Sequence, residues 1–528
     1  MLKYNYNSRV VSVFLEEVMS EKDKDESTRR PAGYAALVER YDLDVIPNWH
    51  ISFVINSGIH QVDSSGGVIE EVFPLKYWPG DMLGDHLEFA LKYDGTNLAI
   101  LASLFQEIEE KDFLEYAQSK PSGKYVRRLW FLYEFLTGKK LPLADLKRGN
   151  YVDLLESSEY YTVSPARIVR RQRINDNLLG NHQFCPSVRR TDILRDFEKT
   201  NLPDRCRQVV SAYPPEMLKR ALGYLYAKET KSSFEIEHIN PTSNKTERFV
   251  SLLQLAEQKD FYDKKSLIEL QNRIVDARFR DSDYRRTQNY VGESVAWQNE
   301  KIHFACPKPE NLPDLMEGLE ISFKFMDEGN VPAVIHAAVV SYGFVFLHPF
   351  EDGNGRIHRF LIHNILARRG FTPEGIMFPV SASMLKNPAD YDASLESFSK
   401  RLMPLVEYSL DEDGRMTVHN DTVKWYRYID MTPQAEALFL FIEKTIDTEL
   451  AGELLFLANY DETKKAIQEI VDMPDRQIDI FIRFCLQNNG RLSGRKRASH
   501  FEALSDNEIS RMEKVVQLFY DKKSPARR

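Results

Sequence analysis

The chain has 528 residues, 43% hydrophobic and 28% charged, which suits about three folded domains and argues against wholesale disorder. Its net charge of −9 excludes a global pull toward nucleic acid or anionic membrane, so any such contact needs a local basic patch. Cys185, Cys206, Cys306 and Cys485 form no CxxC pair and no zinc-like cluster, which argues against a disulfide or zinc scaffold and for a reducing compartment.

The first 26 residues lack the charged–apolar–small layout of a signal peptide. No uncharged apolar run reaches the ~18–20 residues of a membrane span. A cytoplasmic protein with no membrane partner is expected. Residues 19–32 are polar and read as a solvated linker. HISFVINSG (50–58) and VIEEVFPLKYW (68–78), separated by DSSGG, predict a hairpin. Residues 124–137 place Val126, Leu129, Leu132, Tyr133 and Leu136 on one helical stripe, with Gly138 as the stop. The basic run 166–173 reads as a solvated or ion-paired face. YPPEM (213–217) opens a further helix carrying Leu218, Leu222 and Leu225, and helices then dominate to about 410, broken by a hairpin near 288–306.

Residues 331–370 carry the chemistry. Residues 331–346 are apolar nearly all round and predict a buried central helix. A second helix runs from about Gly355 to Arg369, with Ile357, Leu361 and Ile365 on one face and Arg356, Arg359 and His363 on another. Gly353, Asn354 and Gly355 lie directly before it, so backbone N–H groups and the helix N-terminus converge on one anion site. Arg356 and Arg359 extend that site by a turn. Glu351 and Asp352 beside a phosphate site imply a bridging divalent cation, magnesium. His348, at the other end of the loop, is placed as a general base toward a hydroxyl.

HPFEDGNGRIHR (348–359) resembles the signature of the Fic (filamentation induced by cAMP) domain at every defining position. The resemblance extends loosely over 215–410. It implies an adenylyltransferase that moves AMP from ATP to a protein hydroxyl and releases pyrophosphate. It also implies that His348 takes the proton and that Phe350 anchors the loop. Asp352 would hold magnesium, and Gly353, Asn354 and Gly355 would bind phosphate through backbone and amide groups. Arg356 and Arg359 would reach the β- and γ-phosphates.

Many Fic proteins carry an inhibitory [S/T]xxxE[G/N] helix. Ser233 and Glu237 match its pattern, with His238 where Gly or Asn is usual. The resemblance implies that Glu237 pairs with Arg359 and blocks the γ-phosphate position. The 288–306 hairpin falls where relatives have a flap that presents the target. Tyr391 matches one of two aromatic positions near the adenine, and Asp392 replaces the other. Residues 462–487 resemble a helix-turn-helix, with NGRLSGRKR (489–497) as a wing.

The expected fold is mainly α: a Fic-type helical bundle with a hairpin flap, a small α+β N-terminal part and a C-terminal winged-helix-like domain. The expected divisions are 1–205, 206–415 and 416–528. The partner is a protein substrate, the chain itself included. DNA contact through the C-terminal domain, with the Fic fold as nucleotide sensor, is the alternative. So are another nucleotide donor and AMP removal. Homo-oligomerisation stays open.

Overall fold

The computed structural model describes residues 29–520 apart from 57, 65–66 and 297–298. The N-terminal stretch read for a leader, and most of the 19–32 linker, lie outside them. Arg29–Ala32, read as the end of that linker, is instead strand β1. It pairs antiparallel with β2 (His50–Ile55). The hairpin expected from 50–58 and 68–78 is also corrected. A short strand β3 (Gln61–Asp63) returns between β2 and β4 (Ile69–Pro74) and pairs antiparallel with β4. The chain thus reverses twice, and β2 and β4 lie parallel in the order β1-β2-β4-β3.

Helix α1 (Lys124–Thr137) forms as its apolar stripe predicts, and Gly138 ends it at φ +67°. A small sheet follows, β5 (Val152–Asp153), β6 (Arg167–Val169) and β7 (Ile174–Asp176), in the order β5-β7-β6. The basic run overlaps β6 and is ion-paired: Arg171 lies 2.9 Å from Glu134 and 2.7 Å from Asp145, and Arg167 lies 3.0 Å from Asp176. Arg170 of the same run is exposed.

The helices of the middle segment frame the site. They are α2 (Pro215–Glu235), α3 (Lys264–Ile274), α4 (Leu312–Glu328), α5 (Ala333–Leu347), α6 (Asn354–Arg368) and α7 (Pro388–Leu402). Strands β8 (Tyr290–Ala296) and β9 (Asn299–Ala305) form the expected antiparallel hairpin, with Tyr290 opposite Ala305. α5 is buried nearly all round, as its composition predicts, and packs against α4 and α6.

The apolar core does not divide at 205–206. Tyr161, Leu202, Cys206 and Leu457 all belong to the cluster that holds α5 and α6. A separate cluster runs from Tyr34 to Leu178, with Cys185 and Tyr428 added. Another is formed by α8 (Ala451–Gln468), α9 (Asp475–Gln487) and α11 (Asp506–Tyr520) around Phe481 and Met512, with Phe501 added from just past α10 (Gly494–His500). The wing is corrected here: Gly494–His500 is helical, because the Ser493 hydroxyl accepts from the Lys496 N–H and caps a helix start. No strand follows α9 among the described residues.

Candidate active site

α5 ends at His348, whose φ of +49° turns the chain sharply into the loop. His348 Nδ1 lies 3.3 Å from the Val345 carbonyl. A carbonyl only accepts, so Nδ1 carries the proton and Nε2 keeps its lone pair. Burial pushes the imidazole down to about 4, and the nearby Arg285 cation adds to this against the Val345 carbonyl and Asp352. The ring is therefore neutral at ordinary pH.

The loop is stitched from inside. Phe350 is fully buried. Its backbone N–H donates to Asn354 Oδ1 at 3.1 Å, and Asn354 Nδ2 donates to the Phe350 carbonyl at 2.7 Å. The sequence reading gave the Asn354 amide to phosphate; the structure commits it to the loop and leaves only its backbone for an anion. Gly353 caps α6 at φ +92°, a conformation that glycine adopts without strain.

The N-terminus of α6 already faces a carboxylate. Glu237 Oε1 sits 2.6 Å from where a Cβ on Gly355 would lie. Glu237 Oε1 accepts from Arg359 Nη2 at 2.8 Å, and Glu237 Oε2 lies 2.7 Å from Arg356 Nε, whose N–H is not aimed along that contact. The sequence reading paired Glu237 with Arg359 alone, whereas its carboxylate bridges both arginines. Arg359 also donates to Ser233, through Nε to Oγ at 2.9 Å and through Nη2 to the carbonyl at 2.6 Å. Both arginines are almost wholly buried. His238, the departure from the usual Gly or Asn, stands at φ +56°. Glycine and asparagine, which the resemblance led one to expect here, adopt that conformation readily, and histidine is among the side chains that tolerate it.

Two matching polar stripes build this contact. Glu229, Ser233 and Glu237 recur every four residues along α2 and just beyond it. They face Arg356, Arg359 and His363 on α6. Glu229, fully buried, lies 2.7 Å from His363 Nε2 and accepts the Ser381 N–H at 3.0 Å. Glu229 went unnoticed in the sequence reading, although the four-residue spacing was its signal.

Asp352 is half exposed and accepts from Arg356 Nη2 at 2.7 Å. Glu351 accepts the Thr287 hydroxyl at 2.5 Å, which links the loop to the base of the hairpin. Tyr391, on α7, is buried with its hydroxyl against the Arg359 guanidinium, so its polar atom faces the arginine end of the site. Asp392 is exposed. His336 is buried against Phe323 and Arg369, away from the loop. Arg285, missed in the sequence, is buried beneath His348.

Residues 261–366 match the model of the Fic/DOC family. The chain is 34% identical over 122 residues to a protein adenylyltransferase Fic of Culex quinquefasciatus. It is 35% identical over 112 residues to the enzyme of that name in Drosophila grimshawi. These matches span about a fifth of this chain and of each relative: 22% of both for the first, 21% of both for the second. A Fic family protein from Desulfovibrio desulfuricans G20 aligns over 61% of this chain and 84% of its own, at 16% identity and a TM-score of 0.35. No helix among the described residues is long and apolar enough to cross a membrane.

Proposed function

We propose that the chain transfers AMP from ATP to a Ser, Thr or Tyr hydroxyl of a protein and releases pyrophosphate, and that Glu237 holds the site closed. The observation that carries this reading is the neutral His348 set beside a helix N-terminus flanked by two buried arginines. The target hydroxyl oxygen attacks the α-phosphorus, the bond to pyrophosphate breaks, and the hydroxyl proton passes to His348 Nε2. The free N–H groups at the start of α6 hold the phosphates, and Arg356 and Arg359 stabilise the leaving pyrophosphate. Phe350 and Asn354 keep the loop in shape while this occurs.

No cluster of three acidic, histidine or cysteine side chains suited to a metal exists among the described residues. A single exposed carboxylate fits magnesium nonetheless, because that ion is commonly bound by one or two carboxylates plus substrate phosphates and water. Asp352 is the residue that would hold it, on giving up its contact with Arg356. The ion would supply charge neutralisation at the phosphates.

Glu237 puts negative charge where an anion belongs, occupies a donor of Arg359 and lies in ion-pair contact with Arg356. That supports its reading as an internal inhibitor. The test is incubation of the full chain, and of its Glu237→Gly variant, with α-labelled nucleotides and magnesium. Intact mass should rise by one adenylyl group. Transfer from another nucleotide alone, or removal of AMP from a modified protein, would replace this reading with the corresponding reaction.

A further inference from the structure

Arg285 is a buried cation, 4% exposed, with no carboxylate in ion-pair range among the described residues. All of its guanidinium partners are backbone carbonyls. Nε donates to His348 O at 2.8 Å, Nη1 to Thr287 O at 2.7 Å and Nη2 to Pro307 O at 2.6 Å. Its own N–H donates to Pro349 O at 2.8 Å. Thr287 precedes β8 and Pro307 follows β9, so the fork grips both feet of the hairpin and the residue that carries the imidazole. Burying an unpaired charge is costly, and a neutral side chain would fill the space more cheaply. Only the planar five-donor fork reaches three carbonyls on three segments at once; an ammonium group does not. The Thr287–Glu351 hydrogen bond adds a second strap between the same two parts.

We propose that Arg285 is a positioning residue, which locks the His348 loop to both feet of the β8–β9 hairpin so that base and hairpin keep one fixed geometry. The proposal rests on the AMP-transfer reading, in which the hairpin presents the target hydroxyl. Arg285 touches neither nucleotide nor target in that arrangement. Its loss should therefore slow the chemical step and spare nucleotide affinity. The charged groups acting on the imidazole are Arg285 and Asp352, so removal of the cation also leaves the ring easier to protonate.

The experiment has two arms. In the wild-type chain, the Arg285 Nε–H, followed by nitrogen-resolved NMR, should exchange with solvent as slowly as core amides. Exchange at the rate of a free arginine would overturn the clamp without any variant having to fold. In the second arm, Arg285→Lys and Arg285→Gln are made in the full chain carrying Glu237→Gly. Each should lower kcat about a hundredfold, the scale of a misplacement near 1 Å, with the calorimetric Kd for ATP within about twofold. The Gln variant should also raise the pH at which the His348 ring titrates. Unchanged kcat in either variant, or equal losses of kcat and ATP affinity, would overturn the proposal. A parent chain with no transfer activity would sink the AMP-transfer reading instead, and the Nε–H exchange and the ring titration would still decide the clamp.

Discussion

His348 is built to receive a proton. Its ring is neutral because it is buried beside Arg285, and its free nitrogen is Nε2 because Val345 takes Nδ1. The expected pH–rate profile follows in sign. Protonation removes the base, and the folded value is about 4 rather than 6.5. Transfer should hold steady as pH falls from 8 to 6 and drop only as pH approaches 4. An acid limb centred near 6.5, measured on transfer rates at saturating ATP, would contradict this. His348→Ala should abolish transfer and leave calorimetric ATP binding nearly intact, because the phosphate-facing groups belong to α6. Retention of more than about a hundredth of the rate would exclude the base role, since such catalysis contributes typically 10²–10⁴-fold.

The α2–α6 contact is the element that decides whether the site is open. α2 is anchored at Glu229 by His363 and Ser381, and it delivers Ser233 and Glu237 to the arginines two turns further on. Glu237→Gly removes the carboxylate while Glu229 still holds the helix. Nucleotide affinity and auto-modification rate should then rise about tenfold, equivalent to about 1.4 kcal/mol and in the range of one charge-assisted hydrogen bond. Side-by-side time courses decide the point, and equal rates would reduce Glu237 to a surface-facing partner of the arginines. Gly355 belongs to the same contact. Its missing Cβ is what lets the Glu237 carboxylate approach the helix end, since a Cβ there would lie 2.6 Å from Oε1.

At the scale of the whole molecule, burial sets the response to acid. His336 and His358 are pushed down to about 3 and His348 to about 4, each chiefly by burial. The unfolded chain protonates all three near pH 6.5, whereas the folded chain leaves them neutral. Stability should therefore fall as pH drops below 6.5, by about 1.4 kcal/mol per pH unit for each histidine, until their folded values are reached. Asp94 and Asp176, whose carboxyls burial pushes up, act in the opposite sense at the acid end of that window. Thermal midpoints should hold nearly level from pH 7.5 to 6.5 and then decline down to pH 5. A flat profile would mean that these histidines are not held neutral.

The sequence alone determined the loop and its two helices. α5 is apolar on every face and has nowhere to lie but the core, and GNG before a helix converges backbone donors on one point. Helix α1 and the β8–β9 hairpin were legible for the same reason, since periodicity and turn residues act over a few positions. What lay beyond local reach was pairing. The β2–β4 register turned parallel because the short β3 intervened, and the expected wing became a helix through one serine cap. Glu237 reached two arginines more than a hundred residues away because three polar residues spaced along α2 and just past its end align with three on α6. Arg285 left no pattern in the sequence, because its partners are backbone carbonyls and any residue carries those. Only the tertiary fold decides which carbonyls meet.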